Sequence, residues 1–290
     1  MSTITLRTRQ LSVTRGLSLV ELLIGLTIGL TVIAVALALY LSSGHAYRST
    51  QAITQMTEDA TVALSILRTQ IALTGYSTPT GLDGDGHMTR AFTGQALFAC
   101  TGGITSASLG KPKLTDIVCH NDPTQPDAIV VRYEADERNT VPTAAGIPTD
   151  CLGNSTPQPE GSYHLADNRY FVQGHTLSCR GNGHSVAQPL VDHIVDLAIH
   201  YGVADLTDEH SEPTLRYLSA HEVSDGSVPS ANSPLWRRVK SVRLCLLLRS
   251  ELEVLDAPMP YTHCDGHEVT ASDRRLYRAF HTTVSLPNPL

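Results

Sequence analysis

The stretch RGLSLVELLIGLTIGL, running from Arg15 to Leu30, decides how the rest of the chain is read. It sets one carboxylate, Glu21, at the head of an apolar run that continues to Leu41. Within residues 17–41 the other polar side chains are Ser18, Thr27, Thr31 and Tyr40. About twenty apolar residues suffice to cross the hydrocarbon core of a bilayer. A charged side chain at the centre of such a span costs roughly 2.5–3.5 kcal/mol on insertion scales, so an intramembrane acid implies a function and a partner.

On the N-terminal side stand Arg7, Arg9 and Arg15, and residues 1–16 hold no acid. The positive-inside rule therefore predicts a cytoplasmic N-terminus and an exported body. A secretory signal peptide has a shorter apolar core, with its small-residue cleavage site after that core. Here the small residue next to the basic segment is Gly16, which precedes the run.

On the C-terminal side, apolar residues recur at Ile53, Met56, Ala60, Leu64, Leu67 and Ile71. Spacings of three and four predict an amphipathic helix. Gly75 is the expected C-cap, and no proline interrupts Leu17 to Ile71. A helix from Leu17 to Thr74 would be on the order of 85–90 Å long. Its first half would face lipid or other subunits, and its second half would offer one stripe to a core.

Beyond residue 76, proline, glycine and turn residues predict short strands joined by long loops. Residues 76–95 and 135–162 read as loops. DAIVVRYE places Ile129, Val131 and Tyr133 on one face, and RYFVQGHTLSC runs toward Cys179. VKSVRLCLLLRS places Val242, Leu244, Leu246 and Leu248 on one face, with Arg243, Cys245 and Arg249 on the other. AFHTTVSL groups Phe280, Thr282, Val284 and Leu286. PLVDHIVDLAIHYGV is ambiguous: it reads as a helical turn that ends as a strand carrying Leu197, Ile199 and Tyr201. The expected fold class is α+β: a long N-terminal helix, transmembrane in its first half and amphipathic in its second, packed on an antiparallel β-sheet domain.

The formal charge is −7 over 290 residues, and it becomes −10 without the three arginines of residues 1–16. An acidic body argues against a broad nucleic-acid surface, which needs clustered Lys and Arg. The six cysteines Cys100, Cys119, Cys151, Cys179, Cys245 and Cys264 all follow the apolar run, and none forms a CxxC pair. An even count in an exported segment predicts disulfides. Pairing between sequence neighbours is favoured because each bridge then closes a loop of modest length, giving Cys100–Cys119, Cys151–Cys179 and Cys245–Cys264.

Gly16, followed by Leu17-Ser18-Leu19-Val20-Glu21 and an apolar helix, resembles the class III leader of type IV pilins and type II secretion pseudopilins. Leu17 departs from the Phe usual in major pilins. The resemblance extends into the body: VRYE after Ile129, TGYS at the end of the long helix, VKSVRLCLLLRSE, and DRRLYRAFHTTVSLPNPL look like minor pilins of PilW type. It implies that a prepilin peptidase cuts after Gly16 and that the new N-terminus, on Leu17, is methylated. It also implies that Glu21 pairs with an amine, that of a neighbouring subunit in an assembled pilus. The implied organisation is a leader over residues 1–16, a transmembrane half over 17–41, an amphipathic half over 42–75 and a body over 76–290.

The implied function is that of a minor pilin that helps prime type IV pilus assembly near the tip and supports adhesion or twitching motility. The expected partners are other minor pilins, the major pilin, the prepilin peptidase, the inner membrane and a tip adhesin. Before assembly the chain would be a single-pass inner-membrane protein with a periplasmic body; afterwards it would lie in a surface pilus. No enzymatic activity, cofactor or metal is expected. A type II secretion pseudopilin is the alternative within the superfamily, and a membrane-anchored periplasmic metal-dependent hydrolase is the alternative of another class.

The hydrolase alternative rests on the histidines. His263, Cys264 and His267 in HCDGH have ligand-like spacing, but an oxidised Cys264 would leave the histidines in an exposed loop. LDGDGH offers Asp83 and Asp85 to a calcium ion, without the closing Glu of an EF-hand loop; a polar turn accounts for it. His193 and His200 lie in an apolar stretch, as structural histidines do. Arg237, Arg238, Lys240 and Arg243 form the one dense basic cluster, read as a solvated strand end or as partners for Asp192 and Asp196.

Overall fold

The structure is a computed structural model that describes residues 16, 18–158, 163–204, 215–224, 231 and 233–288. It divides into two compact units, Met1–Ser49 and Thr50–Leu290. One helix, α1 (Leu19–Leu73, 55 residues), contributes to both.

In the second unit α1 turns its stripe into the core. Met56, Ala60, Ala63, Leu67 and Ile71 are all at most 3% exposed. Ile53, expected on that stripe, is 43% exposed, so the stripe enters the core one turn later. The helix stops where Gly75 takes φ +74°, a left-handed geometry that glycine adopts without a Cβ clash. The Gly75 amide donates at once to the Arg132 carbonyl at 3.0 Å, so the end of the helix is tied to a strand.

The chain then builds two main antiparallel sheets where the sequence predicted one. A small hairpin comes first, β1 (Pro79–Leu82) with β2 (Met88–Arg90), in a region expected to be loop. The five-stranded sheet follows in simple order: β3 (Leu97–Cys100), β4 (Ala128–Ala135), β5 (His164–Gln173), β6 (Thr176–Arg180) and β7 (Gln188–Val191). RYFVQGHTLSC is thus a hairpin, with Gln173 opposite Thr176.

The second sheet takes β8 (Ile194–Ala204), β9 (Leu215–Leu218), β10 (Val239–Arg249) and β13 (Tyr277–Ser285) in the order β13-β10-β8-β9. A short helix α2 (Ala220–Val223) and a 3-10 turn at Pro234–Arg238 precede β10. A hairpin of β11 (Pro260–Thr262) and β12 (Glu268–Thr270) precedes β13. PLVDHIVDLAIHYGV contains no helical turn. It is β7 and β8, separated by His193 at φ +67°. That left-handed residue lets the chain leave one sheet and enter the other.

The core joins both sheets to residues 56–71 of α1. Val242, Leu244, Leu246 and Leu248 of β10 are fully buried, as are Ile194, Leu197 and Tyr201 of β8. Trp236 packs edge-on against Phe98 of β3 at 5.7 Å and Tyr201 of β8 at 5.1 Å, bridging the two sheets. Such aromatic pairs contribute about 0.5–1.5 kcal/mol beyond their area. Polar ties run through the same core. Gln70 Oε1 accepts from Asn168 Nδ2 at 2.8 Å and from the Tyr133 hydroxyl at 3.1 Å. Burial raises the Tyr133 hydroxyl to a pKa of about 12, which keeps it a donor.

Candidate functional site: an uncovered apolar helix headed by Glu21

In the first unit, residues Leu19–Tyr40 of α1 form a 22-residue span with mean hydropathy 2.7 and none of it buried. Its leucines, valines and isoleucines are more than half exposed. In water such a surface is untenable; lipid tails or apolar neighbours would cover it.

The head of this helix is built by a local device that sequence reading missed. Ser18 accepts the Glu21 amide on its hydroxyl at 3.3 Å, and its carbonyl accepts the Leu22 amide at 3.1 Å. Ser18 is therefore the N-cap and Glu21 stands at the third helical position. Ser-x-x-Glu is the sequence signature of a capping box, which could have revealed it. A carboxylate in the first turn also faces the positive end of the helix dipole. The Glu21 carboxylate has no hydrogen bond or ion pair among the described residues, so its charge is open to an external partner. Gly16 is exposed, with open space around the position its Cβ would take. Leu17 and residues 1–15 lie outside the described residues.

The six cysteines form three bridges in the second unit: Cys100–Cys119, Cys151–Cys179 and Cys245–Cys264. The first closes the loop between β3 and β4. The second ties residue 151, in the long loop before β5, to β6. The third fastens the β11–β12 hairpin to β10.

The other candidates resolve into structural roles. Cys264 is bonded to Cys245, which removes it from any ligand set. His263 lies 3.7 Å from Asp196, and His267 lies 3.1 Å from Asp265. Asp83, Asp85 and His87 converge in the β1–β2 turn. There Asp83 Oδ1 accepts the amides of Asp85 and His87 at 3.0 and 2.7 Å, as a turn-closing Asp does. His200 is exposed, and His193 pairs with Asp59.

The basic cluster does not serve Asp192 or Asp196. Asp192 accepts from Thr176 at 2.7 Å, and Asp196 faces His263. Arg243 instead stacks over the Tyr217 ring at 4.0 Å, a cation–π contact.

An apolar N-terminal helix followed by antiparallel sheets makes this a mixed α+β chain of pilin-like build. Residues 162–288 match the family model described as Type IV Pilus-assembly protein W (PilW). That part of the body is similar to the family, and the match supports a type IV minor pilin of PilW type. A solved structure titled as a type IV-like pilin from Thermus thermophilus is similar at 12% identity and a TM-score of 0.40, covering 81% of this chain and 98% of that one. Comparison with curated proteins gave no match. A pilus-assembly family implies interaction with other pilus components, and the one such apolar helix among the described residues fits a membrane-anchored pilin. Pilins are structural rather than catalytic proteins.

Proposed function

We propose that this chain is a processed minor pilin that joins other minor pilins in the complex that primes type IV pilus assembly, near the tip, in support of adhesion or twitching motility. The observation that carries the reading is the uncovered Leu19–Tyr40 span with Glu21, unpartnered among the described residues, in its first turn. The family match over residues 162–288 favours a pilus over a type II secretion system.

In this reading the leader ends at Gly16 and the mature chain begins at Leu17. The arginines hold the N-terminus in the cytoplasm and the body lies in the periplasm until the subunit enters a pilus. Cleavage creates an ammonium on Leu17, and Glu21 offers the opposite charge to that of a neighbouring subunit. In lipid such a pair is far better than either charge alone. Lateral packing of the apolar helices then supplies the assembly.

The test is N-terminal mass analysis of the membrane-extracted chain, with co-purification of other pilus subunits. The expected result is a mature chain starting at Leu17 and partner pilins in the eluate. Gly16→Val, which puts a branched side chain beside the cut, should leave the leader attached and abolish co-purification. A chain that starts elsewhere, or that co-purifies with secretion components alone, would overturn the reading.

A further inference from the structure

Four cations that are distant in sequence meet in one cavity of the second unit. The cavity has a volume of about 550 Å³, and its lining includes Lys111, Arg132, Asp167, Arg169, Arg180 and His184. Asp167 is the one acid among its described lining residues.

Asp167 is already fully paired. It is 4% exposed, and Arg169 grips it in a fork: Nε to Oδ1 at 2.9 Å and Nη2 to Oδ2 at 3.2 Å. Arg132 approaches the same Oδ2 with Nε at 3.4 Å. The remaining donors of Arg169 end on the carbonyls of Leu109 and Lys111. Four of the five N–H donors of Arg169 are thus used within the protein, which makes it chiefly a structural arginine. The Arg132 Nε is buried and has no hydrogen bond among the described residues, so positive charge here already exceeds what Asp167 satisfies.

Arg180 is the surplus cation. It ends β6 directly opposite Arg169 of β5 in the antiparallel register. Like charges directly opposite across a strand pair are destabilising. Arg180 makes no hydrogen bond or ion pair with any described residue, although it is half-buried. Its guanidinium lies against Gly110: a Cβ there would fall 2.8 Å from Nη2 and 3.0 Å from Cζ. Glycine at position 110 is what leaves room for the group. Burial and the neighbouring Arg169 both pull the pKa of Arg180 down from its ordinary value, a strain that a bound anion would relieve.

The lining residues that follow Arg180 are tied down by hydrogen bonds. The Gly183 amide donates to the Asp150 carboxylate at 2.9 Å, and Asn182 Nδ2 donates to the Leu165 carbonyl at 2.8 Å. The loop after β6 is thereby held over the cavity, beside Gln158 and Ser185. A guanidinium fork matches a planar carboxylate with two parallel hydrogen bonds. The volume is large enough to admit a sugar ring, and the polar rim offers partners for hydroxyls.

We propose that this cavity binds a small carboxylate-bearing ligand of the sugar-acid class, with Arg180 as its anchor. The site lies wholly within the second unit and does not depend on the pilus reading. The test is calorimetric titration of the full chain in detergent micelles with galacturonate, with galactose and inorganic phosphate as comparison probes. Galacturonate should bind, more weakly as salt rises, while galactose does not. Arg180→Gln should weaken galacturonate at least tenfold with the near-ultraviolet dichroism unchanged. Gly110→Ala keeps every charge but displaces the guanidinium, and it should weaken binding as well. No galacturonate binding, or galactose binding as tightly, would overturn the proposal. So would full affinity in the Gly110→Ala chain, even where Arg180→Gln failed to fold. Phosphate binding as tight as galacturonate would overturn the carboxylate assignment.

Discussion

His193 Nδ1 lies 3.1 Å from Asp59 Oδ2 and joins the break between β7 and β8 to the buried half of α1. In this hydrogen bond the ring nitrogen donates and the carboxylate oxygen accepts. His193 also holds φ +67°, unfavourable for a residue with a Cβ. The contact thus pins a strained corner to the helix.

Removing the acceptor should loosen that corner. Asp59→Ala should lower stability by about 1 kcal/mol, in the range of a single partly buried hydrogen bond. Asp59→Asn keeps a carbonyl acceptor and should lose less. Chemical denaturation of both variants in detergent checks the order; equal stability of Asp59→Ala and the parent chain would refute it.

Asp127 predicts a pH dependence. Its oxygens accept the amides of Gly102 at 3.1 Å and Ile199 at 2.8 Å, linking the loop between β3 and β4 to β8. Burial is the larger effect and raises the carboxyl to about 7. In the unfolded chain it titrates near 3.9. The raised group contributes stability that is fully present below about pH 4 and is lost as pH rises through 7, because the native state alone holds the proton in that window. The size is on the order of 4 kcal/mol at most. Asp127→Asn should flatten this part of the slope between pH 5 and 8. Its baseline should drop by about 1–3 kcal/mol, since an amide has one acceptor for two donors. Asp196, also raised by burial, acts in the same sense and stays in both chains, so some slope should persist in Asp127→Asn. Unfolding midpoints at several pH values decide it; an unchanged slope in Asp127→Asn would contradict the assignment.

The Cys151–Cys179 bridge spans 28 residues. In the chain-entropy model a loop of that length corresponds to about 3–4 kcal/mol. The bridge also positions the Cys151 amide, which donates to Asn168 Oδ1 at 3.0 Å beside the Gln70 contact. Replacing both cysteines by alanine should therefore destabilise more than losing Cys245–Cys264, which spans 19 residues and fastens a surface hairpin. Thermal unfolding of the two double variants gives the ranking, and the reverse order would count against it.

The parts of this chain that were legible in sequence are those written in one dimension. The apolar run, Glu21 and the three-and-four spacing from Met56 to Ile71 need no distant partner to be seen. Buried polar strands are different. HLADNRY reads as a polar stretch, yet Asp167, Asn168 and Arg169 sit in the middle of β5, each at most 5% exposed. They are tolerated because Asp167 and Arg169 satisfy each other, and Asn168 meets Gln70 from 98 residues away. The division into two sheets was hidden for a similar reason: His193 carries no turn signal, and only its left-handed φ separates β7 from β8. The cation cavity is set by cross-strand register, which places Arg180 opposite Arg169. No local motif encodes that pairing.

The charge at the head of α1 makes the sharpest prediction. A carboxylate in lipid is tolerable when protonated or paired. Glu21→Leu removes the insertion penalty, so the chain should still reach the membrane and remain there at least as stably. The Ser18 cap uses the backbone amide of residue 21 rather than its side chain, so the helix should still start at the same place. What the variant lacks is the charge for a neighbour's amine. It should therefore fail to co-purify with other minor pilins, and surface pilus yield should fall in a strain carrying that single change. Glu21→Gln keeps the shape and a polar head but no charge, and it should fail in the same way, which separates loss of charge from loss of packing. A simple anchor would work as well or better with Leu. Wild-type co-purification and pilus yield in both variants would show that the charge at position 21 plays no part in assembly.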